Sequence, residues 1–310
     1  MLFLSLLTAC ASGPQTQQLL TAPSKLPPRV ELRQTPFFAQ QDYQCGPAAL
    51  ATVLKASGID IDAEALVDDI YLPARKGSLQ LEILASTRRH GRLPYRLAPT
   101  LLALLDEVAA GNPVLVLQNL GLDWIPQWHY AVVVGYDLDA QKIILRSGTQ
   151  ARHISELDTF ELTWARGNYW GIVALSPDRL PATATIDGYL RSVVSLEKIA
   201  RHPDQWRTLK RAYATALTRW PQNLIARMGL GNSAYRLGEL DAAAQAFRTA
   251  LEDHPEAAAA HNNLAQVLLE QGKLDEAQTH AQQAVALGGK HAADFRATLA
   301  DIQRAQNAPR

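Results

Sequence analysis

Apolar residues along the chain recur in two rhythms. From Gly46 to Ala56, Leu79 to Arg88 and Leu101 to Ala109 they fall at intervals of three and four, which predicts helices with one buried face each. Elsewhere the pattern changes to short unbroken runs at Pro113–Leu117, Tyr130–Val134, Lys142–Leu145 and Trp170–Leu175, bounded by Gly, Asn, Asp or Pro. Such runs predict strands. Helices first and strands afterwards argue an α+β domain over 30–177. Pro177, Pro181 and the small residues Ala182 to Thr185 then break both rhythms, so 178–188 is expected to be a linker. From Tyr189 onward the chain is helical and rich in alanine, which predicts a second, all-α domain over 189–305.

That second half repeats itself. Gly238 recurs as Gly272, Leu240-Asp241 as Leu274-Asp275, Ala243 as Ala277, Ala250 as Ala284 and Pro221 as Pro255, each pair 34 residues apart. The period and the positions of Gly231, Gly238, Ala243, Phe247, Ala250 and Pro255 resemble the tetratricopeptide repeat. The unit over 258–291 keeps Leu264, Ala265, Gly272, Leu274, Ala277 and Ala284. The unit over 190–223 keeps only Leu196, Tyr213, Ala216 and Pro221. The resemblance implies stacked helix pairs, a capping helix near 292–304, and a concave groove for a protein partner.

At 310 residues, with 47% hydrophobic and 19% charged, the composition fits about two globular domains of roughly 150 residues and argues against disorder. Basic and acidic residues balance at 30 each, 12 against 16 over 30–177 and 16 against 14 over 178–310, so neither half favours a nucleic-acid partner.

Met1 to Ala9 are almost wholly apolar and run into Leu7-Thr8-Ala9-Cys10, which resembles the lipobox of bacterial lipoproteins. The resemblance implies a signal peptide over 1–9, acylation of Cys10, and an acyl anchor in place of a spanning helix. No other stretch holds the roughly 18 apolar residues that a span needs. Residues 10–29, polar and carrying Gln and Pro, are then expected to be a tether. Ala11 after the cysteine implies, by likeness to Gram-negative lipoproteins, the outer membrane facing the periplasm. The leader is short and has no Lys or Arg ahead of its apolar run, so a start further upstream or an incidental Cys10 both stay open.

With Cys10 acylated, Cys45 is the one remaining thiol, in an oxidising compartment and without an intramolecular partner. It stands immediately before a helical run with Pro47 suited to the first turn, where backbone N–H groups and the helix dipole favour a thiolate. A nucleophile also needs a proton acceptor. His129 leads the apolar strand of Pro126-Gln-Trp-His-Tyr-Ala-Val-Val-Val-Gly-Tyr-Asp137, where it can face a cleft.

Together these words, Gln-Cys45-Gly-Pro-Ala-Ala and His129-Tyr-Ala-Val-Val-Val-Gly-Tyr-Asp, 84 residues apart, resemble the C39 and C39-like cysteine peptidases. The resemblance covers about 30–177 and implies a papain-like fold. It implies Cys45 as nucleophile, His129 as general base, and the Gln40 amide beside the Cys45 N–H at the oxyanion. Gln41, one residue nearer, is the alternative to Gln40. The family's orienting Asp is missing: Ser147, in Ile143-Ile-Leu-Arg-Ser147-Gly, stands at that place. A serine fixes the imidazole tautomer but brings no negative charge. Asp137 reads as part of a hairpin turn with Asp139, and Arg152 and His153 as surface residues able to reach the cleft rim. No His, Cys and carboxylate cluster shows metal-ligand spacing, and no cofactor is implied. The expected function is peptide or protein cleavage in the cell envelope, the repeats recruiting a partner. A non-cutting peptide-binding scaffold and an acyl transferase using the same pair are the alternatives.

Overall fold

The computed structural model describes residues 12–22 and 25–308; Cys10 lies outside them. Two compact units form, one of residues up to Ser176 with Pro181–Ala184, the other of Pro177–Leu180 with residues from Thr185 onward.

The first unit contains, in order, α1 (Pro14–Thr21), β1 (Arg29–Glu31), α2 (Cys45–Ala56), α3 (Val67–Ile70), α4 (Gln80–Arg89), β2 (Leu93–Arg96), α5 (Leu101–Ala109), β3 (Val114–Asn119), β4 (Trp128–Asp137), β5 (Lys142–Ser147), β6 (Gln150–Glu156), α6 (Leu157–Arg166) and β7 (Gly171–Leu175). The strands make one antiparallel sheet in the order β2-β7-β3-β4-β5-β6. One edge of β4 is shared, by β3 along Trp128–Val133 and by β1 along Gly135–Asp137. A Cβ on Gly135 would sit 2.5 Å from the Val30 carbonyl, so only glycine lets β1 close on the strand there.

Helix α2 lies against β4. Of its buried residues Ala49, Leu50, Ala51, Val53 and Leu54 pack in one cluster with Tyr130, Val132 and Val134, and the cluster extends to Leu115, Leu117, Ile144, Trp170 and Ile172. Leu50 and Leu54 are wholly buried, each worth roughly 1.5–3 kcal/mol. This contact fixes the start of α2, and hence Cys45, over the N-terminal end of β4. On α5, Thr100 caps the helix by accepting the Ala103 N–H at 3.2 Å, as its place before the apolar run suggests.

The predicted helices and strands are present: α5 has the expected bounds, α4 is shifted by one residue, α2, β3, β4 and β5 are longer and β7 is one residue shorter. The hydrophobic pattern did not reveal β1, β2, β6 and α6. Strand β2, Leu-Pro-Tyr-Arg, carries a proline that only an edge position tolerates. Strand β6 is an exposed edge with little apolar content. The expected tether is a correction: residues 14–21 form helix α1, docked on α6. Gly13 N–H donates to Asp158 at 2.8 Å, and the Gln15 and Thr16 N–H groups donate to the two oxygens of Glu161 at 2.9 and 2.6 Å. The carboxylates satisfy the N–H groups that a helix start leaves open, and their charge opposes the helix dipole. Gln15 adds bonds to Leu101 N–H and the Pro99 carbonyl. Tethers read from polarity alone miss such capping by distant side chains.

The second unit stacks α7 (Ile186–Glu197), α8 (Pro203–Arg219), α9 (Leu224–Arg236), α10 (Leu240–Asp253), α11 (Ala258–Glu270), α12 (Leu274–Leu287) and α13 (Ala292–Asn307), each on the next. Close approach explains its small residues: a Cβ on Gly229 would meet the Tyr213 ring at 2.3 Å, and one on Gly231 the Phe247 ring at 2.5 Å. Gly238 and Gly272 both take φ +73 at the turns between paired helices, so the 34-residue period is a backbone period as well.

Replacing Glu161 by Ala strands buried N–H groups at a cost of about 1–3 kcal/mol. Amide exchange across 13–21 should accelerate while β4 stays protected; unchanged protection of that segment would contradict the docking.

Candidate active site

The site is built from the start of α2. A turn over Gln41–Gln44, closed by the Gln44 N–H to the Gln41 carbonyl at 3.0 Å, brings the chain into the helix. Tyr43 there takes φ 63, a left-handed conformation that costs a non-glycine residue of order 1–3 kcal/mol. Gly46 is obligatory, since a Cβ would lie 2.3 Å from Ser78 Oγ.

Cys45 is a free, half-buried thiol. Burial pushes its pKa up. The N–H groups of Tyr130, Gly46 and Cys45 itself favour the thiolate but do not outweigh the loss of water. This corrects the expectation that the helix start leaves a low-pKa thiol.

His129 stands near the start of β4, and its Nε2 meets Ser147 Oγ at 2.8 Å. Burial, with a smaller contribution from the charge of His153, pushes the imidazole down to about 4. At neutral pH the resting site therefore holds a neutral thiol and a neutral ring. Ser147 ends β5 and leads into Gly148, at φ 60 the sharp point of the β5–β6 hairpin. The Gly148 carbonyl accepts the Gln40 N–H at 3.1 Å. One hairpin thus positions both Ser147 and Gln40.

A cavity of about 940 Å³ opens at this point, with Gln40, Cys45, His129 and Tyr130 on its wall. Gln40, Cys45 and Ser147 also line one small recess beside it. The structure therefore gathers all four predicted residues. Two polar atoms at the cavity, Gln40 Oε1 and Ser78 Oγ, are buried without a hydrogen-bond partner. Such atoms cost stability unless something entering the cavity satisfies them.

Gln41 is exposed and lines neither space. Asp137 pairs with Arg29 at 2.5 Å and accepts the Ala140 N–H, as a hairpin residue does. Arg152 bonds Glu31 at the surface. His153 bonds the Gln150 side chain and reaches the site only through its field on His129.

Sequence reasoning missed the opposite wall, Arg75 to Gln80, and Asn168 at φ 54. Arg75 to Ser78 and Asn168 sit in short turns without periodicity, while Leu79 and Gln80 open the predicted helix; the sole signal was Gly77-Ser78 ahead of it. Among the described residues no group of three or more His, Cys, Asp or Glu is arranged to hold a metal ion.

Comparison with known proteins follows the same division. The model of the peptidase C39-like family matches residues 32–170, and that of the tetratricopeptide repeat matches 210–257, 229–292 and 262–309. No curated protein matches the chain. Among solved structures, one described as a C39-like peptidase from Bacillus anthracis is 17% identical, covering 47% of this chain and 97% of its own, with a TM-score of 0.41. The first repeat domain of Spaghetti (RPAP3), bound to the HSP90 peptide SRMEEVD, is 14% identical over 40% of this chain and 94% of its own, TM-score 0.36. The TPR2B domain of yeast Sti1, in a pHsp70 complex, is 13% identical over 39% and 97%, TM-score 0.36. The chain is therefore similar to the peptidase C39-like family over residues 32–170 and to the tetratricopeptide repeat over residues 210–309.

Proposed function

We propose that the first unit is a cysteine peptidase acting on a peptide or protein in the cell envelope, and that the repeats recruit its partner. The observation that carries this is the His129–Ser147 bond beside Cys45. With Nε2 donating its hydrogen to Ser147 Oγ, Nδ1 is the nitrogen left to take a proton from the thiol. Cys45 Sγ then attacks the scissile carbonyl carbon and its proton passes to His129. The oxyanion draws on the Cys45 N–H and the Gln40 amide. The protonated ring returns that proton to the leaving amine as the C–N bond breaks, and a water, deprotonated by His129, hydrolyses the thioester.

The neutral resting pair makes proton transfer part of the reaction, not of the ground state. No carboxylate supports the imidazolium, which slows the first step. The same two facts favour a second reading, a scaffold that binds a peptide in the cleft and leaves it uncut. Transfer of the acyl group to an amine uses the same atoms with a different acceptor.

The repeat groove fits a peptide partner. A hollow of about 340 Å³ is lined by Asn232, Asn262, Asn263, Gln266, Arg236 and Trp206. Asn263 Nδ2 donates to Asn232 Oδ1 at 2.9 Å, and these amides share the wall with the charged Glu197 and Arg236. Amides pair with an extended peptide backbone through both donors and acceptors.

Alkylation of Cys45 by iodoacetamide should be slow at pH 6 and rise only on the alkaline side of a free cysteine's range, because burial raises its pKa. Between pH 5 and 7 the rate should show no inflection from His129, whose pKa lies at about 4. Ser147→Asp should raise the imidazole pKa by at least about one unit and speed alkylation at pH 6 by roughly tenfold. His129→Ala should cancel that gain. Rapid wild-type alkylation at pH 6 would contradict the neutral resting pair. An unchanged rate in Ser147→Asp would remove Ser147 from the site.

For location, we propose an acyl anchor at Cys10 in the outer membrane. Fatty-acid labelling should mark the full chain and stop in Cys10→Ala; absence of label in the parent would end the lipoprotein reading.

A further inference from the structure

Between β3 and β4 the chain forms a short tongue, Leu120 to Gln127, that sequence patterning left unexplained. Leu120, Leu122, Trp124, Ile125 and Trp128 are each at least half exposed, Trp124 to 75%. A loose loop would hide such side chains, yet this one is held rigid. The buried Asn119 side chain accepts the N–H groups of Gly121 at 3.0 Å and Gln127 at 2.8 Å. Leu120 N–H bonds the Gln127 carbonyl at 2.9 Å, and Leu122 bridges Ile125. Gly121 has no room for a Cβ, which would meet the Ile125 carbonyl at 2.3 Å. A buried Asn and a glycine that cannot be replaced thus serve to present bulky apolar side chains to solvent.

We infer that this tongue docks on a lipid bilayer surface and turns the cleft toward it. Clustered exposed apolar side chains mark a protein or a membrane contact, and here the composition favours the membrane. Its chemistry is Leu, Ile and two Trp with one charge, Asp123, the composition of side chains that settle at a membrane interface. Its position agrees with the part of the chain outside the structure. Helix α6 holds the start of α1 near its first residues, through Asp158 and Glu161, and the base of the tongue at its last, through Arg166 Nε to the Asn119 carbonyl at 3.1 Å. At 1.5 Å per residue these attachments lie roughly 12 Å apart along the helix. Cys10, the proposed acyl site, precedes Gly13 by three residues, so the anchor and the tongue can meet one surface. Pro126 within the tongue and Trp128 just after it line the cleft together with His129. Resting on the peptidase reading, the substrates are then polypeptides lying at or leaving the bilayer surface.

The test uses the full chain with Cys10→Ala, so that no acyl group contributes, and vesicles of phosphatidylethanolamine and phosphatidylglycerol. Trp124→Ser with Ile125→Ser should lower partition by about tenfold or more. Vesicles with brominated acyl chains should quench tryptophan fluorescence in the parent and several-fold less in Trp124→Phe. Iodoacetamide labelling of Cys45 at the parent rate shows that each variant is folded. Equal partition of parent and double variant, or equal quenching in Trp124→Phe, overturns the inference, as does failure of the parent to bind. Cys45→Ala should partition as the parent does, so a cleft that cuts nothing and a tongue that binds no lipid give separate results.

Discussion

Everything proposed for the first unit depends on one contact, the packing of α2 on β4. Leu50, Val53 and Leu54 meet Tyr130, Val132 and Val134 in a single buried cluster, which brings residues 84 positions apart in sequence to the wall of one cavity. The helix contributes a thiol at its start and the strand a histidine near its own start. The geometry of the pair is therefore a property of the core, and a substitution that loosens Leu50 or Val132 should disturb the site as surely as one at its edge.

The same burial that assembles the pair also holds it in its neutral form. Cys45 and His129 are both partly withdrawn from water, and no carboxylate returns the lost solvation: His129 has a hydroxyl where the resembled family has an Asp. On the proposed reading a base, a nucleophile and two oxyanion donors are in place, without a standing thiolate. A thiol kept neutral by burial is slow to oxidise, because the thiolate is the reactive form.

Much of this was legible in the sequence because core and motif coincide. The run Tyr130 to Val134 and the helix after Cys45 are at once strongly patterned and chemically marked. The 34-residue period showed the repeats for a similar reason: Gly231 gives way to the Phe247 ring, and the turn made by Gly238 recurs at Gly272. What escaped lies where structure comes from distant partners. Helix α1 owes its start to Asp158 and Glu161, far along the chain, and edge strands β2 and β6 have no apolar alternation to reveal them. The thiol's titration escaped too, because a helix start is a local signal whereas burial is a sum over the whole fold.

The central claim is that Cys45 cuts a peptide bond. It is tested most directly by N-terminal peptide mass spectrometry of the native cell envelope, comparing wild type with Cys45→Ala at equal expression. The account predicts new N-termini that occur only with the thiol present, naming substrate and cleavage site together. Identical sets of termini, with both chains folded, would contradict it and leave the cleft as a site that holds a peptide without cutting it.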